Sequence, residues 1–294
     1  MPPLFVIADI HGHREELVSA LRAAGLVDGA GRWAGGDARL WLLGDYVDRG
    51  PDGLGVIDDI RALESAAAAA GGEVRALLGN HEAQLLAAHR FGAAPVPGWD
   101  DPDGFRGGWA RFGGREADLR RLTPDHISWI ARLPAVALVD GHLLVHSDTL
   151  GYLEFGSTIA QINAAVGTAL RSTDVASWLT FCGRLSGRNA FRDADPTPAV
   201  SRLLSTLGGD VIVHGHSTLT KHFGVQEVKE GLWYADKRVL AIDGGVYEGG
   251  RLLLTRLISP VRGSGMALGG EFRAAGAAYC RSHGHRCLVL VRST

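Results

Sequence analysis

Cysteine is scarce: three in 294 residues, Cys182, Cys280 and Cys287, with no CxxC pair among them. That number and spacing argue against a disulfide framework and against a structural zinc site. Reduced thiols are the expectation, with a single Cys280–Cys287 bridge left open. No apolar run approaches the ~20 residues of a membrane span. The N-terminus enters LFVIADIHGH without the basic region, apolar stretch and cleavage site of a secretory leader. A cytoplasmic location is therefore expected. Excess charge is also missing: the net value is -2 with histidines neutral. Nothing in that balance favours a nucleic-acid coat or an anionic membrane as partner, so neither is expected.

What is present is glycine and a repeated alternation. Forty-one glycines imply many tight turns, and 46% hydrophobic with 21% charged residues suits a packed globular chain. Three times an apolar strand leads through a polar loop into a helix. Residues 4–8 precede a helix over 14–24, with Leu17, Val18 and Leu21 on one face. Residues 39–43 precede the polar turn 44–50 and a helix opening at Pro51. Residues 74–78 precede GNHE and a helix through His89. This is an α/β pattern, with chemistry expected on loops beyond the strand C-termini.

Residues 91–121, glycine- and proline-rich with Trp99, Phe105 and Trp109, read as an irregular lid-like insertion. A short helix is expected within 122–133, and strands at 136–139 and 143–145 meet at an Asp140-Gly141 hairpin turn. Further helices are expected within 157–171, 174–182 and 200–207. Further strands are expected at 211–213, 239–242 and 252–257. The tail 258–294 is a C-terminal extension ending in the strand-like LVLV of 288–291. With no visible boundary, 1–294 reads as one domain.

Four polar clusters sit where these strands end. Asp9 and His11 are two apart, so in extended backbone both face one way and both reach one ion. Asp45, directly after a strand, is placed to bridge two ions through its two oxygens. Asp48 suits orientation of a histidine, and Arg49 suits the grip of phosphate oxygens. In GNHE, Asn80 offers a neutral oxygen ligand and His81 a proton for a leaving alkoxide. His146, ending LLVHS, and His216, in VHGHS, are the expected ligands of a second ion, with Gly215 allowing close backbone approach. His214 stays ambiguous between ligand and support; His13 and His222 each lie close to a proposed active loop but, like the other lone histidines, read first as surface or packing residues. Taken singly, each cluster has a plain alternative, such as a helix cap at Asp9 or Asn80 or a surface turn at 44–50. Their joint occurrence after successive strands favours a centre of two divalent ions. Oxygen and imidazole donors together suit Mn first, then Fe or Zn.

The ordered set Asp9-x-His11, Gly44-Asp45-x-x-Asp48-Arg49-Gly50, Gly79-Asn80-His81-Glu82, His146 and Gly215-His216 resembles the calcineurin-like metallophosphoesterase superfamily. VDRG with GNHE is closest to its phosphoprotein phosphatase branch. LRAAGLVDGAGRW, LLGNHE and AIDGGVYEGGRLLLTRL are similar to the bacterial Shewanella-like phosphatases. The resemblance implies a four-layer sandwich of two central mixed β-sheets flanked by helices. It implies Asp9 and His11 on one metal, Asp45 bridging, and Asn80, His146 and His216 on the other. His81 with Asp48 would form the acid pair, and Arg49 would hold phosphate. It also implies a phosphoserine, phosphothreonine or phosphotyrosine substrate on a protein or peptide. The alternative is a small phosphorylated metabolite such as a diadenosine polyphosphate.

Three departures bear on the substrate side. Ser147-Asp148 follows His146 where relatives carry a small residue and glycine. Leu78 precedes GNHE where lambda-phage-type relatives place arginine. GRLSGR, 183–188, is an imperfect counterpart of a GPLWxR-like segment, so Arg188 is carried over as the second phosphate arginine, with Arg184 as the fallback.

Overall fold

A computed structural model describes residues 1–192 and 195–258, together with the strand pairs 281–282, 285–286 and 288–289. Its strands are β1 (Leu4–Ile7), β2 (Arg39–Leu42), β3 (Glu73–Ala76), β4 (Val136–Val139), β5 (His142–Val145), β6 (Val211–His214), β7 (Leu232–Tyr234), β8 (Val239–Ala241), β9 (Leu253–Leu257), β10 (Arg281–Ser282), β11 (His285–Arg286) and β12 (Leu288–Val289). The α-helices are α1 (Arg14–Ala23), α2 (Gly53–Ala69), α3 (Asn80–Phe91), α4 (Gly104–Arg111), α5 (Glu116–Arg121), α6 (Pro124–Ile130), α7 (Ile159–Ala169), α8 (Val175–Leu185), α9 (Thr197–Leu207) and α10 (Leu219–Phe223). Among the described residues, no helix is long and apolar enough to cross a membrane.

Two five-stranded sheets carry the fold, in orders β12-β9-β1-β2-β3 and β4-β5-β6-β8-β7. In the first, β1, β2 and β3 run parallel and β9 runs antiparallel beside β1. In the second, β5, β6 and β8 run parallel, flanked by antiparallel β4 and β7. Both sheets are mixed.

Strand alternation explains how they stack. Leu4, Val6 and Ala8 face one way and join Leu144, Val213, Leu240 and Ile242 in a cluster built from both sheets. Phe5 and Ile7 face the other way, into a core shared with Leu17 and Leu21 of α1 and Ile57 and Ile60 of α2. Ile212 and Val239 likewise meet the helices, including Val200 and Leu203 of α9. Strands buried on both faces have no polar side to show, which is why they read as continuous apolar runs. The expected sandwich, two mixed sheets flanked by helices, is what forms.

Local chemistry sets several boundaries. The Asp52 side chain caps α2 by accepting from Gly55 N at 3.1 Å, so that helix opens two residues after Pro51. The β4–β5 turn places Asp140 and Gly141 both at positive φ, 48° and 80°, as a two-residue hairpin demands. Within 91–121 the structure carries α4 and α5, with Phe105 and Trp109 buried. β12 lies parallel to β9 at the edge of the first sheet. Cys280, Cys287 and most of the 258–294 tail lie outside the described residues.

Candidate metal centre

The C-terminal ends of six parallel strands meet at one edge of the sandwich. Asp9 and His11 follow β1, Asp45 follows β2 and Asn80 follows β3. His146 follows β5, His216 follows β6 and Asp243 follows β8. All seven side chains are buried. Asp9, His11, Asp45, Asp48, Arg49 and His216 adopt left-handed backbone, with φ between 46° and 68°. That conformation is disfavoured by about 1–3 kcal/mol per non-glycine residue and concentrates at functional sites. Packing that holds six of them in one place is aiming side chains.

Two donor groups share Asp45. His11, Asp45 and His81 bring ligand atoms within 4.8 Å of one another, and so do Asp45, His146 and His216. Asp45 Oδ2 is 3.6 Å from His11 Nε2, while Oδ1 is 3.3 Å from His146 Nε2. The two carboxylate oxygens thus face opposite groups. His11 Nδ1 donates to Val47 O at 2.9 Å and His146 Nδ1 to Leu43 O at 2.8 Å, which turns each Nε2 to the centre. Asn80 Oδ1 lies 2.9 Å from His146 Nε2. Asp9 accepts from His216 N through both oxygens, at 3.0 and 2.8 Å.

Burial and mutual charge perturb these groups. Burial raises the Asp45 carboxyl, but His146, His81 and His11 outweigh it and hold it well below its ordinary value. Burial lowers His146, yet Asp45, Asp9 and Glu82 win and push it up to about 9. Burial, followed by the Asp243 charge, drives Asp9 well above its ordinary value. Burial, then His81, depresses His11, and burial, then His146 and Arg188, depresses His216.

The donors fit a divalent pair: carboxylate, imidazole and amide oxygen converge without a thiolate. Asp243 adds an unforeseen oxygen. Its Oδ1 accepts from Gly245 N at 2.9 Å, while its buried Oδ2 has no hydrogen-bond partner. Burial with the Asp45 charge pushes its carboxyl up to about 7. A buried carboxylate oxygen left unpaired costs free energy that a cation would remove. Glycine is required twice beside these oxygens. A Cβ on Gly215 would overlap Asp9 Oδ2, and one on Gly79 would overlap Asp45 Oδ1.

Beside this centre, His81 Nδ1 donates to Asp48 Oδ2 at 2.8 Å, and Trp109 Nε1 donates to Asp48 Oδ1 at 2.8 Å. Arg49 spreads its fork over His11 Nε2 at 2.9 Å and His81 Nε2 at 3.0 Å, stacks 3.9 Å above the Tyr247 ring, and ties its own N to Gly113 O. Glu82 accepts from the backbone N of Asp45, Tyr46, Val47 and Gly79, at 2.7–3.3 Å, and so fixes the loop that aims Asp45. Burial and the Asp45 charge push the Glu82 carboxyl to about 7 against the pull of those donors.

His214 is engaged elsewhere: it bonds Gly215 O and Tyr234 OH, at 2.8 and 2.7 Å. Arg184 pairs with Glu154 at 2.7 Å and lines a separate 670 Å³ cleft with Thr149 and Arg202. Arg188 is exposed, with Nη1 2.7 Å from His222 Nε2. The Ser147-Asp148 departure is a brace: Ser147 Oγ donates to Leu185 O, and Asp148 accepts from Ser217 Oγ and Asn189 N. Leu78 is buried in the core.

Trp109, Glu82, Asp148 and Asp243 stand in segments the sequence pattern marked, but the pattern gave them no role at the site. A signal existed for Asp243, since VLAID, residues 239–243, repeats the acid-after-apolar-strand placement of Asp45; none marked Trp109, 61 residues from its partner.

This chain is similar to several known proteins. "Shewanella-like protein phosphatase 2" of Arabidopsis thaliana is 38% identical over 79 residues, 27% of this chain and 20% of that protein. The symmetrical bis(5'-nucleosyl)-tetraphosphatase of Bordetella pertussis is 32% identical over 135 residues, 46% of this chain and 41% of that protein. The matched segments thus span less than half the length of either relative. A cold-active protein-tyrosine phosphatase of a psychrophilic Shewanella species shares the fold, with a TM-score of 0.65 at 20% identity over 86% of this chain and 75% of that one. The calcineurin-like phosphoesterase family profile matches residues 2–218, and the chain belongs to that family.

Proposed function

We propose that the chain is a cytoplasmic phosphatase that uses two divalent ions, Mn first and Fe or Zn next, to hydrolyse phosphate monoesters on protein side chains. The observation that carries this reading is Asp45, whose two oxygens face different imidazole groups. His11 and Asp9 would hold one ion, Asn80, His146 and His216 the other, with Asp45 between. When bound, such a pair supplies nucleophile activation and charge neutralisation.

The chain's own groups supply the rest. His81, oriented through Nδ1 by Asp48, turns Nε2 toward the centre to protonate the departing oxygen. Asp48, steadied by Trp109, holds the His81 ring in that orientation. Arg49 presents a planar pair of donors to phosphate oxygens, and Arg188 is proposed as the second arm. The similarity to a Shewanella-like protein phosphatase favours a phosphoprotein, and that to a dinucleoside tetraphosphatase favours the small-metabolite alternative.

Mn-loaded protein assayed on phosphotyrosine and phosphoserine peptides and on diadenosine tetraphosphate separates these. Faster turnover of a phosphopeptide supports the proposal; faster turnover of the dinucleotide replaces the substrate, and no turnover of either rejects it. His81→Ala should slow poor leaving groups more than p-nitrophenyl phosphate, and equal losses would remove His81 from the acid role.

A further inference from the structure

His222 takes no part in the mechanism above, yet it is bound to one of its members. Arg188 Nη1 stands 2.7 Å from His222 Nε2, and His222 Nδ1 stands 3.2 Å from Thr218 Oγ1. A guanidinium only donates, so Nε2 must be the bare nitrogen. The proton then sits on Nδ1 and is given to Thr218 Oγ1. This tautomer is fixed by its two neighbours.

The contact joins the Arg188 loop to α10, the helix that follows the His216 loop. Thr218 follows His216 closely in sequence, and Ser186, on the Arg188 loop, sets its carbonyl 3.2 Å from His216 Nε2. The backbones around the contact are held separately. Asp148 accepts from Asn189 N at 2.8 Å and from Ser217 Oγ at 2.7 Å, and Arg192 donates to His222 O while facing Asp148 at 3.5 Å. What remains adjustable is the exposed Arg188 side chain, and His222 sets where it points.

We infer that His222 is a positioning residue for phosphate binding: neutral, it accepts from Arg188 and aims that guanidinium at the His216 side of the centre, across from Arg49. Protonation removes the acceptor and sets a cation against a cation, so Arg188 is released. The inference rests on the reading of Arg188 as a phosphate arm. Facing His222 are Arg188, Arg192 and Lys221, with Asp148 opposing them. Burial first, then the three cations, lower its basicity, so the neutral form prevails at neutral pH and release waits for acidification below the ordinary histidine range.

The test compares wild type, Arg188→Ala, His222→Ala and His222→Gln as Mn-loaded protein between about pH 5 and pH 8. KM for p-nitrophenyl phosphate and Ki for inorganic phosphate are read separately from kcat. Arg188→Ala should raise both constants about tenfold, the loss of one charge-assisted hydrogen bond. His222→Ala should match it at every pH. Wild type should bind tightly at neutral pH and approach the Arg188→Ala values on acidification. His222→Gln, whose amide oxygen accepts at any pH, should bind tightly without that acid-side rise relative to the other variants. Acid-induced changes in kcat and in substrate ionisation are common to all four proteins. Unchanged KM and Ki in Arg188→Ala would reject the phosphate arm, and His222's role with it. Raised constants in Arg188→Ala with wild-type constants in His222→Ala would overturn the His222 inference alone. An undiminished acid-side rise in His222→Gln would overturn the protonation switch.

Discussion

Replacing Asp243 by asparagine should shift stability in opposite directions in the metal-stripped and metal-loaded protein. Asp243 is 1% exposed, and its Oδ2 has no hydrogen-bond partner. Burial with neighbouring Asp45 raises its carboxyl from 3.8 to about 7. A carboxyl raised by folding contributes stability that is complete below its unfolded value and lost as pH climbs through its folded value. At pH 8, that loss is about 4 kcal/mol. Asparagine removes the charge but leaves an amide NH2 in place of Oδ2, at a cost of about 1–3 kcal/mol. The net gain, about 1–3 kcal/mol, corresponds to a melting temperature higher by roughly 2–12 °C.

Thermal melts in EDTA should show this gain at pH 8 and little of it near pH 5, where the wild-type carboxyl is already protonated. With Mn in excess the order should reverse, because weaker ion binding to the variant lowers stabilisation by mass action. A variant less stable than wild type in EDTA at pH 8 would refute the assignment of Asp243 as a strained acid. An equal gain with and without Mn would refute its connection to the ions.

Trp109→Phe keeps a ring in the core but removes the donor to Asp48 Oδ1, at a cost of about 1–3 kcal/mol. Turnover of poor leaving groups should fall more than that of p-nitrophenyl phosphate, and equal losses would reduce Trp109 to packing. Gly215→Ala should press a methyl group against Asp9 Oδ2 and lower bound metal, measured by elemental analysis after dialysis. Full metal content with wild-type rate would show that the loop absorbs the methyl group without consequence.

The sandwich was legible because its inner strands are buried on both faces and read as apolar runs, each punctuated by a polar loop. The short elements were not. α4 contains three glycines in eight residues, a composition that opposes helix, and it forms because Phe105 and Trp109 pack inward. β7 has three residues, too few to show alternation, and Trp233 in its middle is 47% exposed.

The side chains brought together after β1, β2, β3, β5 and β6 were legible for the same reason as those strands: polar residues abruptly follow apolar ones. Their supports were hidden because support is tertiary. Glu82 reaches back to the amides of 45–47, Trp109 reaches Asp48, and Asp148 joins Ser217 to Asn189, none at a sequence distance with a local signature. The left-handed conformations of Asp9, His11, Asp45, Asp48, Arg49 and His216 likewise arise only in the folded chain, as glycine is absent from those positions.

The most direct test is anomalous diffraction from crystals grown with Mn. Two peaks about 3.5–4 Å apart are expected, with an Asp45 oxygen on each. His11 should touch one peak, and His146 and His216 the other. A single peak, or two peaks with Asp45 touching neither, would contradict a shared two-ion centre.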